Sequence, residues 1–247
     1  MAEEKNSFYR GLADGAPIGI GYLAVSFAYG IMAVLMGLSP LEALLISLFN
    51  VTSAGQLAGT PIIAAGGSLI ELATTQLVIN SRYSLMSVSV SQKFSDRIKL
   101  RHRLYIGFGN TDEIFAVASS SREPVGPRYM LGLITLPIAC WCLGTILGAV
   151  AKDILPAVVV TSLSIAMYAM FIAIVVPVAR DSKPVLICVL ASVVLASLFS
   201  FVPLLSGVPS GFVIIIIAVL VSAVMAYLFP IEEDEPEQSA DTEEVPE

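Results

Sequence analysis

The second half of the 247-residue chain holds four apolar stretches of more than twenty residues without a charged side chain: Tyr129 to Val150, Leu155 to Ala179, Pro184 to Leu205 and Pro209 to Phe229. A bilayer core about 30 Å thick takes about 20 apolar residues as a helix. These runs therefore read as spanning helices. Further apolar segments fall at 15–37, 41–66 and 68–90, with a shorter and more polar one at 104–120. The fold class that follows is an all-α polytopic membrane protein.

The composition agrees once the charges are placed. Hydrophobic residues make up 56% and charged residues 13% of the chain, against about 25% charged in an ordinary soluble domain. The net charge is −7, but nine of the twenty acidic residues lie in 231–247, where there is no Lys or Arg. The rest of the chain holds thirteen basic and eleven acidic residues, a net of +2. Such a body has no basic face to neutralise phosphates, so a nucleic-acid partner is not expected. A water-soluble enzyme is equally out of keeping with a mean hydropathy of +0.86. The expected organisation is a cytoplasmic N-terminus over 1–14, a transmembrane domain over 15–230 and an acidic disordered tail over 231–247. Met1 to Asp14 shows no cleavage signal, so the first apolar segment is expected to be retained.

The first half of the chain breaks the spanning pattern. Segment 41–66 divides into Leu41–Phe49 and Leu57–Ala65 around Asn50-Val51-Thr52-Ser53-Ala54-Gly55-Gln56. Each piece, at 1.5 Å per residue, extends roughly 14 Å as helix, half of a bilayer. Segment 68–90 carries Glu71, Thr74, Thr75, Gln76, Asn80 and Arg82, and segment 104–120 carries Asn110, Thr111, Asp112 and Glu113. Irregular backbone at membrane depth must be buried in protein or line a cavity, and ionisable groups at that depth point to function.

Basic residues test the threading. If every segment crosses, Lys and Arg divide evenly between the two sides. If one of 41–66 and 68–90 enters and leaves on the same side, and 104–120 does not cross, eleven basic residues share one side and Lys152 stands alone on the other. The second pattern obeys the positive-inside rule. It predicts six full crossings, both termini cytoplasmic, and a hairpin most naturally placed at 41–66.

Other motifs carry less. Gly19-Ile20-Gly21-Tyr22-Leu23-Ala24 matches a dinucleotide fingerprint in form only, since it lies in an apolar segment with no preceding strand. Gly11, Gly15 and Gly19, like Gly144 and Gly148, have the spacing that lets helices approach closely. Cys140, Cys142 and Cys188 form neither a disulfide framework nor a zinc set. His102, the only histidine, sits in a basic loop, which leaves no Ser–His pair within the membrane. Neither a phosphate loop nor a full catalytic set is present, so no enzyme activity and no cofactor are expected.

The polar residues instead suit a solute site. Asn50, Thr52, Ser53, Gln56 and Asn80 offer uncharged donors and acceptors at or facing a helix break, and N–H groups at a half-helix N-terminus attract a carboxylate. Glu71, Asp112 or Glu113 could meet a substrate ammonium or carry a coupling proton. Arg82 either takes part in the site or neutralises one of these carboxylates, and Glu71, near a segment end, is also compatible with an interfacial position.

These residues also carry a family likeness. Phe49 to Ala65, Leu77-Val78-Ile79-Asn80-Ser81-Arg82-Tyr83 and Phe108-Gly109-Asn110-Thr111-Asp112-Glu113-Ile114-Phe115-Ala116 resemble, in order and spacing, three motifs of the AzlC-type branched-chain amino acid permeases. The resemblance covers about residues 8–230. It implies the large subunit of a secondary exporter in the cell membrane for valine, leucine or isoleucine, working with a small AzlD-type membrane partner. Two departures are visible. Only Gln56 matches the family's Ala-Gly-Ser-Ala-Gln-Phe cleanly, and Tyr83 stands where many relatives have His. The expected mechanism is alternating access, with a proton gradient as the energy source and Asp112 or Glu113 as the proton carrier. The rival is a channel, because re-entrant half-helices also build selectivity filters.

Overall fold

A computed structural model describes residues 6–121, 123–203, 205 and 207–230. The expected tail at 231–247 lies outside the described residues. Among these the chain is helical, with a single isolated bridge between Phe94 and Val125 and no strand. Six helices are long: α1 (Phe8–Leu35), α4 (Leu69–Ser91), α7 (Pro127–Ala151), α8 (Ala157–Asp181), α9 (Lys183–Phe201) and α10 (Ser210–Leu228). Four short ones complete the set: α2 (Pro40–Phe49), α3 (Ser53–Ala64), α5 (Leu100–Phe108) and α6 (Asp112–Ser119). Helices α1, α7, α9 and α10 have the length and apolarity to cross a bilayer. Helix α8 is 25 residues long, and α4 is 23 residues long with a more polar face. The architecture is that of an all-α polytopic membrane protein.

The first helix begins earlier than hydrophobicity suggests. Ser7 caps it by accepting the Arg10 N–H, so residues 8–14 are helical although they carry Arg10 and Asp14. The reason is packing. Helices α1 and α7 lie side by side and parallel, with Gly11 against Tyr129, Gly15 against Leu133, Gly19 against Cys140 and Gly30 against Thr145. A Cβ at Gly11 would overlap the Tyr129 carbonyl, and one at Gly148 would overlap the carbonyl of Phe27. The glycines are required by this close approach. Tyr129 Oη also donates to Asp14 Oδ2 at 2.9 Å, tying the two helices at their N-terminal end.

That end is a basic one. Asn6 bonds Pro124 and Gly126 there, and Val125 pairs with Lys93 and Ser95. The N-terminal segment, the 92–99 loop and the 123–126 loop therefore share one end of the bundle. Helix α4 finishes at this end, so it runs opposite to α1.

The short helices form two hairpins that enter from opposite ends. Helices α2 and α3 both start or finish at the end where α1 stops, and they meet at Asn50–Thr52. Ser39 and Glu42 close a reciprocal cap at the entry of α2, while α3 packs antiparallel to α4 with Gln76 Nε2 donating to the Gly55 carbonyl at 2.8 Å. Helices α5 and α6 enter from the basic end and meet at Gly109–Thr111. At both breaks a threonine restarts the helix: Thr52 Oγ1 accepts from the Gly55 N–H and Thr111 Oγ1 from the Ile114 N–H. Each threonine N–H also bonds the carbonyl two residues back. Thus α1–α2–α3 and α4–α5–α6 form one motif, long helix followed by hairpin, used twice with opposite orientation.

Candidate functional site

The two breaks face one cavity of about 530 Å³, walled by α1, α3, α4, α6, Trp141 of α7 and Val175 of α8. Pockets that bury small ligands commonly measure about 300–1,000 Å³. Thr52 and Ser53 line it from the α3 N-terminus, Arg82 and Tyr83 from α4, and Thr111, Asp112 and Glu113 from the α6 N-terminus. Thr52 and Thr111, 59 positions apart in sequence, thus line one cavity because two half-helices stop at the same depth.

The charges are arranged unevenly. Arg82 Nη2 lies 2.7 Å from Asp112 Oδ2, and its guanidinium also sits 4.9 Å from the Tyr83 ring centre. Among the described residues no Lys or Arg pairs with Glu113; its carboxylate instead accepts from Tyr22 Oη of α1. Tyr22 Oη also lies 2.7 Å from Thr111 Oγ1. The first turn of α6 holds two carboxylates, whereas that of α3 holds none. The positive end of α6 is therefore already balanced, and that of α3 is open to an anion.

Gln56 stands behind the wall, fully buried. Its Nε2 donates to Ser47 Oγ at 2.9 Å and its Oε1 accepts from Trp141 Nε1 at 3.1 Å. Ser47 Oγ lies 2.7 Å from Thr145 Oγ1, which donates to the Trp141 carbonyl. Since Thr145 and Gln56 spend their protons this way, Ser47 must donate to Thr145, and every hydroxyl in the chain has a fixed direction. The outcome is a fixed Trp141 ring, 5.1 Å from Tyr22 in an edge-to-face contact.

The other sequence-predicted residues lie elsewhere. Asn50 Nδ2 and Asn80 Nδ2 both donate to Gln76 Oε1, at 3.2 and 3.0 Å, on the α3–α4 side of the cavity wall. Glu71 lies near the far end of α4, buried, and its Oε1 accepts the Gly211 N–H at 3.0 Å. It caps α10, whose own N-cap is Pro209 and has no side-chain acceptor. His102 caps α5 by accepting the Lys99 N–H. A larger depression of about 1070 Å³ at the basic end, beside Tyr9, Arg97 and Arg128, holds none of the predicted site residues.

Tyr22 and Trp141 escape a reading by polarity because both sit in apolar runs that look like plain spans. A signal is nonetheless present: an aromatic with a hydroxyl or N–H at membrane depth must find a partner there.

Comparison with known proteins bears on this same region. The family model described as AzlC protein matches residues 17–155. The chain belongs to the AzlC family. The matched span runs from the middle of α1 past the end of α7, so this AzlC-family chain places all but one wall of the cavity inside it. The inner membrane protein YgaZ of Escherichia coli (strain K12) is 32% identical over 147 residues, 58% of this chain and 60% of its own length. An uncharacterized membrane protein of Archaeoglobus fulgidus is 33% identical over 172 residues, 69% of this chain and 75% of its own. One from Helicobacter pylori is 26% identical over 152 residues, 58% and 65% respectively. The chain thus spans about 60% of the Escherichia coli relative. No solved structure matches it.

Proposed function

We propose that this AzlC-family protein is a secondary active transporter that exports branched-chain or similar small apolar amino acids, coupled to protons. The observation that carries the reading is the pairing of unlike helix ends in one cavity. The α3 N-terminus presents N–H groups with no acid in its first turn, while the α6 N-terminus presents Asp112 and Glu113. A zwitterion fits this in one orientation, with its carboxylate at Thr52–Ser53 and its ammonium at α6. The substrate side chain then faces Val25, Val51, Trp141 and Val175, an apolar wall. The two opposed hairpins supply the elements that open alternately to either side.

The protein belongs, in this reading, to the inner or plasma membrane, with both termini cytoplasmic and a small AzlD-type membrane subunit as partner. Counterflow of radiolabelled leucine, valine and methionine in proteoliposomes, with and without a co-expressed small partner, tests it. Accumulation of label against preloaded unlabelled amino acid is expected. No response to any amino acid in either preparation overturns the assignment. Flux far above carrier rates without counterflow would favour the channel reading, which the same half-helices permit.

A further inference from the structure

We infer that Glu113 is the shared seat of proton and substrate ammonium, so that coupling is an exchange of one for the other, with Tyr22 as the positioning residue. This rests on the transporter reading above. The cavity holds one cation and two carboxylates. Arg82 belongs to Asp112, at 2.7 Å, which leaves Glu113 as the one carboxylate with no cation among the described residues. The groups facing it that can titrate are Tyr22 from α1, Arg82 and Tyr83 from α4, and Asp112 from its own helix; α3, α7 and α8 contribute Thr52, Ser53, Trp141 and Val175 to the wall, none of which titrates. A single positive charge completes the site. A proton or an ammonium can supply it, and both cannot occupy it together.

Tyr22 makes the two states structurally distinct. A phenol has one proton, yet Tyr22 Oη contacts both Glu113 and Thr111 Oγ1. With Glu113 ionised, Tyr22 donates to the carboxylate and Thr111 donates to Tyr22. With Glu113 protonated, the carboxyl donates to Tyr22 and Tyr22 donates to Thr111, so the hydroxyl of Thr111 turns away. Each hydroxyl keeps one proton throughout, and the net change is one proton taken from water by the Glu113 carboxylate. Thr111 caps α6, so occupancy of Glu113 is communicated to the helix break itself. An arriving ammonium displaces the proton and restores the first arrangement.

The sign follows. Protons compete with substrate, so apparent affinity weakens as pH falls, by up to about tenfold per pH unit where one proton is linked to binding. The experiment is leucine counterflow between pH 5.5 and 8.5 in proteoliposomes, together with net transport driven by a pH gradient. Wild type is expected to show this competition, and Glu113→Gln, which removes the seat of the ammonium, to exchange leucine far more weakly, with no pH dependence in the exchange that remains and no response to the gradient. Tyr22→Phe, which keeps the ring and removes the hydroxyl shared by Glu113 and Thr111, is expected to alter the pH profile of exchange. Monodisperse elution in detergent and an unchanged thermal unfolding midpoint show that a variant is folded. As a measure that needs no variant, emission from Trp141, the only tryptophan, is expected to titrate with pH and to lose that titration when leucine saturates the site. A wild-type affinity that strengthens as pH falls, a pH-dependent Glu113→Gln, or a Trp141 emission unchanged by pH overturns the inference. Absence of counterflow in wild type at every pH overturns the transporter reading instead.

Discussion

Gln56 shows how a polar side chain in the membrane can shape a site that it does not line. It joins α2, α3 and α7 through Ser47 and Trp141, and both partners are buried. Replacing it with Leu would leave the indole N–H and the Ser47 hydroxyl short of a partner, each loss costing about 1–3 kcal/mol when desolvated. Gln56→Leu should therefore lower the thermal unfolding midpoint in detergent, shift the emission of Trp141 and increase its quenching by acrylamide. Unchanged emission would show that the ring is held by packing alone. Polarity in the sequence singles out Gln56 but cannot say which way it points. That depends on α3 packing against α7, a contact between segments about 85 positions apart. Tyr22 and Trp141 are hidden for the opposite reason, since their rings satisfy hydropathy while only their polar tips serve the cavity.

At the scale of elements, the half-length pieces of 41–66 foretell a hairpin because neither is long enough to span. The polar break is shorter than the sequence suggests: α3 restarts at Ser53 because Thr52 caps it, so Ser53 to Gln56 form its first turn. The pairing of α1 with α7 is the part that only three dimensions reveal. Spaced glycines announce a close contact without naming the partner or its direction. That contact also makes a sharp prediction. Gly148→Val would drive a side chain into the Phe27 backbone carbonyl, and backbone cannot swing aside as a side chain can. Overpacking costs about 1–3 kcal/mol, occasionally more, so loss of monodisperse protein and a lower unfolding midpoint are expected. Gly107→Ala is the contrast, since nothing lies within 4 Å of its Cβ position in α5 and a helical Gly→Ala exchange is favourable by about 0.5–1 kcal/mol. Equal damage from both would refute close α1–α7 packing as the cause.

For the whole molecule, topology turns a count of charges into a direction. The basic end gathers Arg10, Lys93, Arg97, Lys99, Arg101, Arg103, Arg128, Arg180 and Lys183 of the described residues. At the opposite end Lys152 stands alone, and its Nζ is 3.1 Å from Asp153 Oδ1, so even that charge is offset locally. On the orientation proposed above, with Lys and Arg retained on the cytoplasmic side, the 92–103 loop lies inside. Helix α10 runs from the opposite end back to the basic one, so Leu228 and the start of α1 at Phe8 lie at the same end. In that orientation α2–α3 would open from outside and α5–α6 from inside. Single-cysteine variants in a background with Cys140, Cys142 and Cys188 replaced by Ala measure this directly. In intact cells a membrane-impermeant maleimide should label Asp153→Cys, while Asp96→Cys, exposed in the basic loop, should react only after permeabilisation. Labelling in the reverse order would place the basic end outside. The hairpin that carries Asp112 and Glu113 would then open from outside, yet exchange at Glu113 would still send leucine out as protons move in, because the direction of antiport follows the gradient and not the orientation of the molecule.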